Sequence, residues 1–195
     1  MNRFTLLLAF LTSLVSMTFA QQPAAPAMRL TTTAFSDGGM IPIKFTQAAP
    51  GAALGGGTSP ALSWTNVPAG TQSFVLHMHD VDVTRNKGTD DNLHWLVWNI
   101  PGTATSLAEG IPAGVQLPDG SYQVNVFTAA YRGPGAPASG PLHHYVFELY
   151  ALDTKIDVKP GGDNEGSATR QNVLKAIEGH VLGKAAYVGL FKRPQ

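Results

Sequence analysis

The sequence predicts a mostly β fold. Four strand-like runs, at 74–82, 94–100, 122–131 and 143–152, lie between clusters of Gly, Pro, Asn and Asp, which favour turns. The 21 glycines and 14 prolines are spread along the chain without a repeat period, as expected for short strands joined by tight turns. One stretch near the C-terminus has the apolar spacing of a helix.

The N-terminal residues have the pattern of a cleavable export signal. Arg3 precedes an apolar stretch from Leu6 to Phe19, and Ala20 follows it. This stretch is shorter than the roughly 20 apolar residues of a membrane-spanning helix. The sequence has no cysteine, which leaves no site for a disulfide or for a lipid anchor after the signal. We expect a signal peptide over residues 1–20 and an exported protein, periplasmic or secreted.

The rest of the sequence predicts one domain. Residues 21–28 are rich in Ala, Pro and Gln, which is typical of a flexible tether, and the domain is expected over residues 29–195. Thirteen basic and thirteen acidic residues give a formal net charge of zero. No strongly basic surface for nucleic acid or an anionic membrane is therefore expected, and no membrane segment after the signal. We expect binding partners that are small or carry no strong charge.

The first predicted strand has two different faces. Side chains alternate along a strand, so one row contains Phe74, Leu76, Met78, Asp80 and Asp82. An apolar face therefore ends in two carboxylates. His77 and His79 lie on the opposite face, where a structural role is expected.

Two further predicted strands begin with a histidine. One row contains His94, Leu96, Trp98 and Ile100, and another contains His143, Tyr145, Phe147 and Leu149. If the first two strands pair as antiparallel neighbours, Asp80 and Asp82 lie beside His94 at one end of the sheet. Polar groups at the rim of an apolar face suit a small pocket for a polar ligand. From the residues alone, two solvated turn acids are the favoured interpretation of Asp80 and Asp82. For His94 and His143, a hydrogen bond to a backbone carbonyl is as consistent with the pattern as a pocket role.

The last part of the sequence predicts a helix and a final strand. The helix is expected to begin at Ser167 as N-cap, and Val173, Leu174, Ile177 and Val181 share one of its faces. His180 is expected to be structural, within or capping this helix. A final strand is predicted over residues 185–190.

Seven short motifs occur in order between Phe35 and Arg193. They are Phe35-Ser36-Asp37-Gly38-Gly39 with Ile41-Pro42, Ser59-Pro60 with Leu62 and Trp64, Asp80-Val81-Asp82, His94-Trp95 leading into Asn99-Ile100-Pro101, Tyr131-Arg132-Gly133-Pro134, His143-His144-Tyr145, and Gly179-His180-Val181-Leu182. In order and spacing they resemble the phosphatidylethanolamine-binding protein family. The resemblance is closest to the bacterial branch, which is described as similar to Raf kinase inhibitor proteins.

This resemblance implies a central antiparallel sheet packed on a smaller sheet, with one or two short C-terminal helices. It also implies a pocket for phosphate, phosphoryl headgroups or acetate-like ions. The implied pocket consists of Asp80, His94, the backbone around Gly133 and Pro134, and His143, supported by Asp82 and Tyr145. The sequence departs from the family pattern at Val81, Thr84 and Gly135, where proline is usual, and at His144, where arginine is usual.

The expected function is binding of a small anion without a cofactor or metal, rather than enzymatic catalysis. Imidazoles and loop amides would donate hydrogen bonds to the anion, and Asp80 would fix the tautomer of a histidine. Phosphate affinity should then rise as the pH falls through the histidine range, near 6.5.

Two alternative functions remain open. A metal-dependent hydrolase could use the same Asp and His cluster to hold a divalent ion and activate water. An inhibitor of another protein is the second alternative. After export its partner would be an envelope protein such as a peptidase, and the loop from Gly133 to Pro141 could provide the contact surface.

Overall fold

The computed structural model describes residues 26–53, 55–85 and 87–195. The predicted signal peptide and residues 21–25 of the predicted tether lie outside these ranges. The strands within them are β1 Arg29–Thr31, β2 Gly39–Met40, β3 Leu62–Thr65, β4 Ser73–Asp80, β5 Asn92–Pro101, β6 Ser106–Leu107, β7 Tyr122–Val124, β8 His143–Leu152 and β9 Val181–Phe191. The helices are a short 3-10 helix at Ile43–Phe45 and the α-helix α1 at Gly166–Ala176.

The strands form two sheets. The large sheet has six strands in the order β2-β9-β8-β4-β5-β7. Neighbouring strands in this sheet run antiparallel, except that β2 and β9 run parallel. The small sheet has the order β1-β3-β6 and is antiparallel. The prediction of a mostly β fold, with a central sheet packed on a smaller one, is confirmed.

The main core lies between the two sheets. Trp64 from β3 contacts Phe74 from β4, with ring centroids 5.2 Å apart, and both side chains are buried. Burial of such large aromatic side chains is a main source of stabilisation in a domain of this size. Met28 also belongs to this core, so packing begins inside the segment predicted as a flexible tether.

The other face of the large sheet carries a second, smaller core. Val173 and Ile177 of α1 pack there with Leu96 and Trp98 of β5. The helix thus covers part of the sheet face that points away from the small sheet. Within the described ranges, no helix combines the length and the apolar character needed to cross a membrane.

Two bulges in β5 correct the predicted face assignment. His79 pairs with Leu93 and Met78 with Trp95, so His94 is an extra residue in the ladder. Asn99 is a second extra residue and has a φ of 59°, in the left-handed region. As a result, Leu96 and Trp98 lie in the smaller core while Ile100 lies in the main core. The prediction that His94, Leu96, Trp98 and Ile100 share one face was therefore wrong.

The predicted strand at 122–131 is much shorter in the structure. It ends at Val124 because the side chain of Asn125 organises a turn instead of continuing the ladder. Its Oδ1 accepts hydrogen bonds from the backbone N–H groups of Phe127, at 2.7 Å, and Thr128, at 2.9 Å. Its Nδ2 donates to the carbonyl of Ala130 at 2.9 Å.

The helix also differs from the prediction at both ends. It begins at Gly166 with Glu165, not Ser167, as N-cap. It ends at Ala176 because Gly179, with a φ of 82°, turns the chain toward β9. Val181 therefore begins a strand instead of extending the helical face. His180 lies in the turn between α1 and β9, where its Nδ1 contacts Asp153 Oδ1 at 2.8 Å.

Candidate functional site

A small polar cavity of about 120 Å³ lies at one end of the large sheet. Its walls include side chains from three adjacent strands and from the loop after β7: Asp80, Asn92, His94, Arg132, His143 and Tyr145. Asp80 ends β4, and antiparallel pairing places it opposite Asn92 of β5 and Tyr145 of β8. The structure thus brings Asp80, His94 and His143 together.

Asp80 and His143 form a buried pair in this cavity. His143 Nδ1 lies 2.8 Å from Asp80 Oδ2, and the Asp80 side chain is 3 % exposed. The other carboxylate oxygen accepts a hydrogen bond from the backbone N–H of Asp82 at 3.1 Å. Because an ionised carboxylate can only accept, His143 carries its proton on Nδ1. Asp80 therefore fixes the tautomer and orientation of the ring, and Nε2 remains for other partners.

His94 is an uncharged side chain in the wall of the cavity. Its Nδ1 lies 3.0 Å from the carbonyl of Arg132, to which it donates, so its Nε2 accepts from Asn92 Nδ2 at 3.1 Å. Burial lowers the pKa of His94 to about 4. The predicted donation from this imidazole to an anion would require one of these internal contacts to break. The bonding to a backbone carbonyl that the sequence left open is what the structure shows.

Tyr145 supports the loop that closes the cavity. Its hydroxyl oxygen accepts hydrogen bonds from the backbone N–H groups of Gly135 and Ala136, both at 3.1 Å. Its ring meets that of His94 edge-on, with centroids 5.1 Å apart. Burial raises the pKa of Tyr145, so the phenol stays protonated.

Gly133 and Pro134 shape this loop but do not provide the predicted backbone donors. The N–H of Gly133 donates to the carbonyl of Gly56 at 3.1 Å, and proline has no N–H. The carbonyls of both residues accept hydrogen bonds from Gln47, at 2.7 and 2.9 Å. A Cβ at position 133 would lie 2.6 Å from the Gly56 oxygen, so the close approach of the two loops requires glycine.

Asp82 lies just beyond β4, outside the cavity wall. Its Oδ2 accepts hydrogen bonds from the backbone N–H of His144 and from the imidazole Nδ1 of the same residue. Partial burial alone would raise the pKa of Asp82, but these bonds outweigh it and hold the pKa low. Asp82 therefore links the ends of β4 and β8 and supports the site from outside.

Arg132 is a cavity residue that the sequence analysis did not identify. Its Nε and Nη1 atoms are buried, and no hydrogen-bond partner for them exists among the described residues. The guanidinium carbon lies 4.7 Å from the centroid of the Phe127 ring, a cation–π contact that fixes its position. Burial lowers the pKa of Arg132 only from a very high value, so the group stays charged.

A cation is a second chemical possibility at this end of the sheet. Ligand atoms of Asp80, Asp82 and His143 lie within 4.8 Å of one another. Asp80 and Asp82 each already accept hydrogen bonds within the protein, as described above. A metal would have to replace or share those bonds.

Comparisons with known proteins agree with this architecture. A model of the family described as phosphatidylethanolamine-binding protein matches residues 31–192. A UPF0098 protein of Methanothermobacter thermautotrophicus is 43 % identical over 168 residues, which cover 85 % of this chain and 99 % of that protein. The UPF0098 protein YbhB of Escherichia coli K12 is 36 % identical over 140 residues, which cover 70 % of this chain and 83 % of that protein.

Solved structures give the same result. The crystal structure of Escherichia coli YbcL, described as a member of the mammalian PEBP family, matches with a TM-score of 0.68 and 28 % identity over 87 % of this chain and all of that one. A PEBP homologue from Chlamydia trachomatis matches with a TM-score of 0.67 and 30 % identity, over 86 % of this chain and 99 % of that one. The chain therefore belongs to the phosphatidylethanolamine-binding protein family.

Proposed function

We propose that this protein binds a small oxyanion, phosphate or the phosphoryl group of a larger ligand, in the cavity between Asp80, Arg132 and His143. The observation that carries this proposal is the guanidinium of Arg132, which has two buried N–H donors without a partner among the described residues. A buried donor without a partner is costly, and an oxyanion in the cavity would accept hydrogen bonds from this guanidinium.

His143 provides a second donor that depends on pH. With one proton on Nδ1, its Nε2 can only accept a hydrogen bond. A second proton converts Nε2 into a donor, and the adjacent Asp80 carboxylate balances the charge of the imidazolium. Anion affinity should therefore rise toward lower pH through His143, while His94 stays neutral.

The size of the cavity limits what can enter it. A volume of about 120 Å³ corresponds to about four water molecules at liquid density, enough for a tetrahedral oxyanion. A lipid headgroup or a nucleotide could place its phosphoryl group inside, while the rest of the ligand would lie outside the cavity.

Calorimetric titration with phosphate, sulfate and phosphoethanolamine tests this proposal. Arg132→Met should weaken binding of each anion by about 10-fold or more, since a charged hydrogen bond contributes about 1.5–3 kcal/mol. Arg29→Met removes the same charge from exposed β1 and serves as the matched control, with unchanged affinity expected. Equal affinity of the two variants, or no binding of any anion by the wild type at millimolar concentration, would refute the proposal.

Sulfate separates the protein's titration from that of the ligand. Phosphate changes its own charge near neutral pH, whereas sulfate stays doubly charged. On acidification we expect sulfate affinity to rise for the wild type and to stay constant for His143→Asn. A rise of the same size in both proteins would exclude His143 as the pH-dependent donor.

A metal-dependent hydrolase is the second candidate function, supported by the proximity of Asp80, Asp82 and His143. Three protein ligands would leave a position for an activated water. Elemental analysis of dialysed protein, followed by assays on phosphate and carboxylate esters, tests it. One tightly held divalent ion that is lost in His143→Asn would favour the hydrolase over the anion-binding function.

We further propose that the protein acts outside the cytoplasm, as the signal-like sequence of residues 1–20 supports. There it could act as a ligand-dependent modulator or inhibitor of an envelope protein such as a peptidase. Cell fractionation tests the location, and cross-linking in the envelope fraction with and without phosphate tests the partner. Retention of the uncleaved chain in the cytoplasm would contradict the proposed location.

A further inference from the structure

A second polar cluster lies on the face of the large sheet opposite the anion cavity. His77 and His79 are two residues apart on β4, and their side chains point to the same face. Glu148 on β8 is the direct cross-strand partner of His77. The three side chains are 4 %, 12 % and 16 % exposed, so the cluster lies mostly beneath the surface.

Three of the four ring nitrogens of these histidines lack a hydrogen-bond partner among the described residues. Both ring nitrogens of His77 are buried and unpaired among the described residues, and so is Nε2 of His79. Buried polar atoms in native proteins are nearly always satisfied, so three unpaired nitrogens at one place indicate a missing partner. A neutral imidazole has one N–H and one lone pair, so one lone pair of His77 is unpaired, as is that of His79 Nε2 when Nδ1 carries the proton. A bound cation would accept both lone pairs.

Two distances from Glu148 are close to the edge lengths of a metal coordination polyhedron. Glu148 Oε2 lies 3.4 Å from His79 Nε2 and 3.6 Å from His77 Nδ1. Two ligands about 2.0–2.1 Å from a tetrahedral metal are about 3.3–3.4 Å apart. We propose that His77, His79 and Glu148 form a binding site for a divalent transition metal ion of the zinc type.

The neighbours of the three residues are arranged as in known metal sites. The Nδ1 of His79 donates to Asp91 Oδ2, so its Nε2 carries the lone pair that faces Glu148. A carboxylate behind a histidine ligand is the usual support of a zinc-bound imidazole. Tyr150 Oη donates to Glu148 Oε2 at 2.8 Å, and Lys184 binds Oε1, which fixes the carboxylate.

The charges around the cluster favour a cation. Asp90, Asp91 and Glu148 provide three carboxylates, whereas Arg170 and Lys184 provide two positive charges. This excess of negative charge favours a bound cation.

The imidazole rings of His77 and His79 are stacked, so both rings must move when a metal ion binds. Their centroids are 4.2 Å apart and their planes differ by 7°. Stacked rings keep their lone pairs in two separate parallel planes, so each ring must tilt toward Glu148 when the ion binds. A small tilt is sufficient, because the ligand atoms of all three residues already lie within 4.8 Å of one another.

Metal titration of the full chain tests the proposal. After dialysis against a chelator, we expect the wild type to bind one Zn²⁺ in calorimetry and to give the visible absorption of tetrahedral Co²⁺. His77→Gln and Glu148→Gln should lose at least about 100-fold in zinc affinity, because loss of even a supporting carboxylate costs 10–100-fold. Asp91→Asn should lose about 10–100-fold for that reason.

Two control variants distinguish this site from others. His180→Gln removes a histidine from an exposed pair with Asp153 and should leave zinc affinity unchanged. His143→Asn disrupts the anion cavity and should also retain zinc binding. Loss of zinc in His143→Asn with retention in His77→Gln would move the metal to the anion cavity and overturn the proposal. Absence of stoichiometric binding by the folded wild type would overturn it without any variant.

Discussion

Two histidines at the same end of the sheet differ in chemistry because their partners differ. His94 is bonded on both ring nitrogens, to a carbonyl and to Asn92, and neither partner carries a charge. His143 faces the carboxylate of Asp80 through Nδ1, which leaves Nε2 outside this pair. The His94 ring is therefore suited to be a rigid part of the cavity wall. The His143 ring is suited to donate a hydrogen bond once it is protonated.

The buried His94 makes stability dependent on pH. An unfolded chain protonates this side chain near pH 6.5, whereas the folded protein resists protonation until about pH 4. Below pH 6.5 the unfolded state binds more protons, so stability falls as the pH drops to about 4, by on the order of 3 kcal/mol. Above pH 6.5 His94 makes no contribution to the pH dependence of stability.

Urea denaturation at several pH values measures this contribution. Between pH 6.5 and 4, wild type should lose more stability than His94→Gln, which has no titratable group at this position. The comparison uses the slope with pH, because the substitution also changes the absolute stability. Parallel curves for the two proteins would show that His94 does not carry the pH dependence.

The positions of Asp80 and His143 could be predicted from alternation, since each continues an apolar row on a regular strand. Arg132 could not, although it lies inside a recognised motif. Its cavity position depends on the path of an irregular loop and on the Phe127 ring below the guanidinium. Neither follows from a periodic pattern.

Bulges show where strand alternation stops being informative. The extra residue at His94 lets both His94 and Trp95 lie toward the main core, although they are neighbours in the chain. A sequence without a Gly or Pro at this point gives no signal for such a bulge. His94 was therefore assigned to the correct face, but the residues that follow it were not.

The loop after Tyr131 depends on one hydroxyl group. Tyr145→Phe leaves the N–H groups of Gly135 and Ala136 without their shared acceptor. We expect a loss of about 1–3 kcal/mol of stability in urea denaturation, together with weaker phosphate binding, because the cavity wall loosens. Tyr122→Phe is the control, since its hydroxyl contacts only exposed Lys159 at 3.4 Å among the described residues. Equal stability of both variants would contradict this role of Tyr145.

The first residue of α1, Gly166, lies too close to the preceding loop to carry a side chain. A Cβ at Gly166 would lie 1.9 Å from the carbonyl oxygen of Asn125, which itself organises the preceding turn. Gly166→Ala should therefore destabilise the protein by about 2 kcal/mol or more.

Gly162→Ala, a few residues away, is the matched control. Its new Cβ would come no closer than 3.8 Å to Glu165 Oε2, so little change in stability is expected. Thermal unfolding of both variants measures this difference in stability. A Gly166→Ala protein as stable as Gly162→Ala would mean that the loop and the helix can separate at low cost.

The two faces of the large sheet carry two separate groups of polar residues. The polar cavity with Asp80 and His143 lies where the main core reaches one end of the sheet. The His77, His79 and Glu148 cluster lies on the other face of the same strands. Strand alternation produces this separation, because Asp80 and His79 are neighbours that point in opposite directions. β4 and β8 thus contribute to both sites.

A crystal structure of the protein grown with phosphate tests the central claim most directly. We predict one tetrahedral anion that accepts hydrogen bonds from the Arg132 guanidinium, with His143 Nε2 as a further contact at low pH. A phosphate bound elsewhere, with the Arg132 donors still unpaired, would contradict the assignment of this cavity. A metal ion held by Asp80 and His143 would contradict it in the same way.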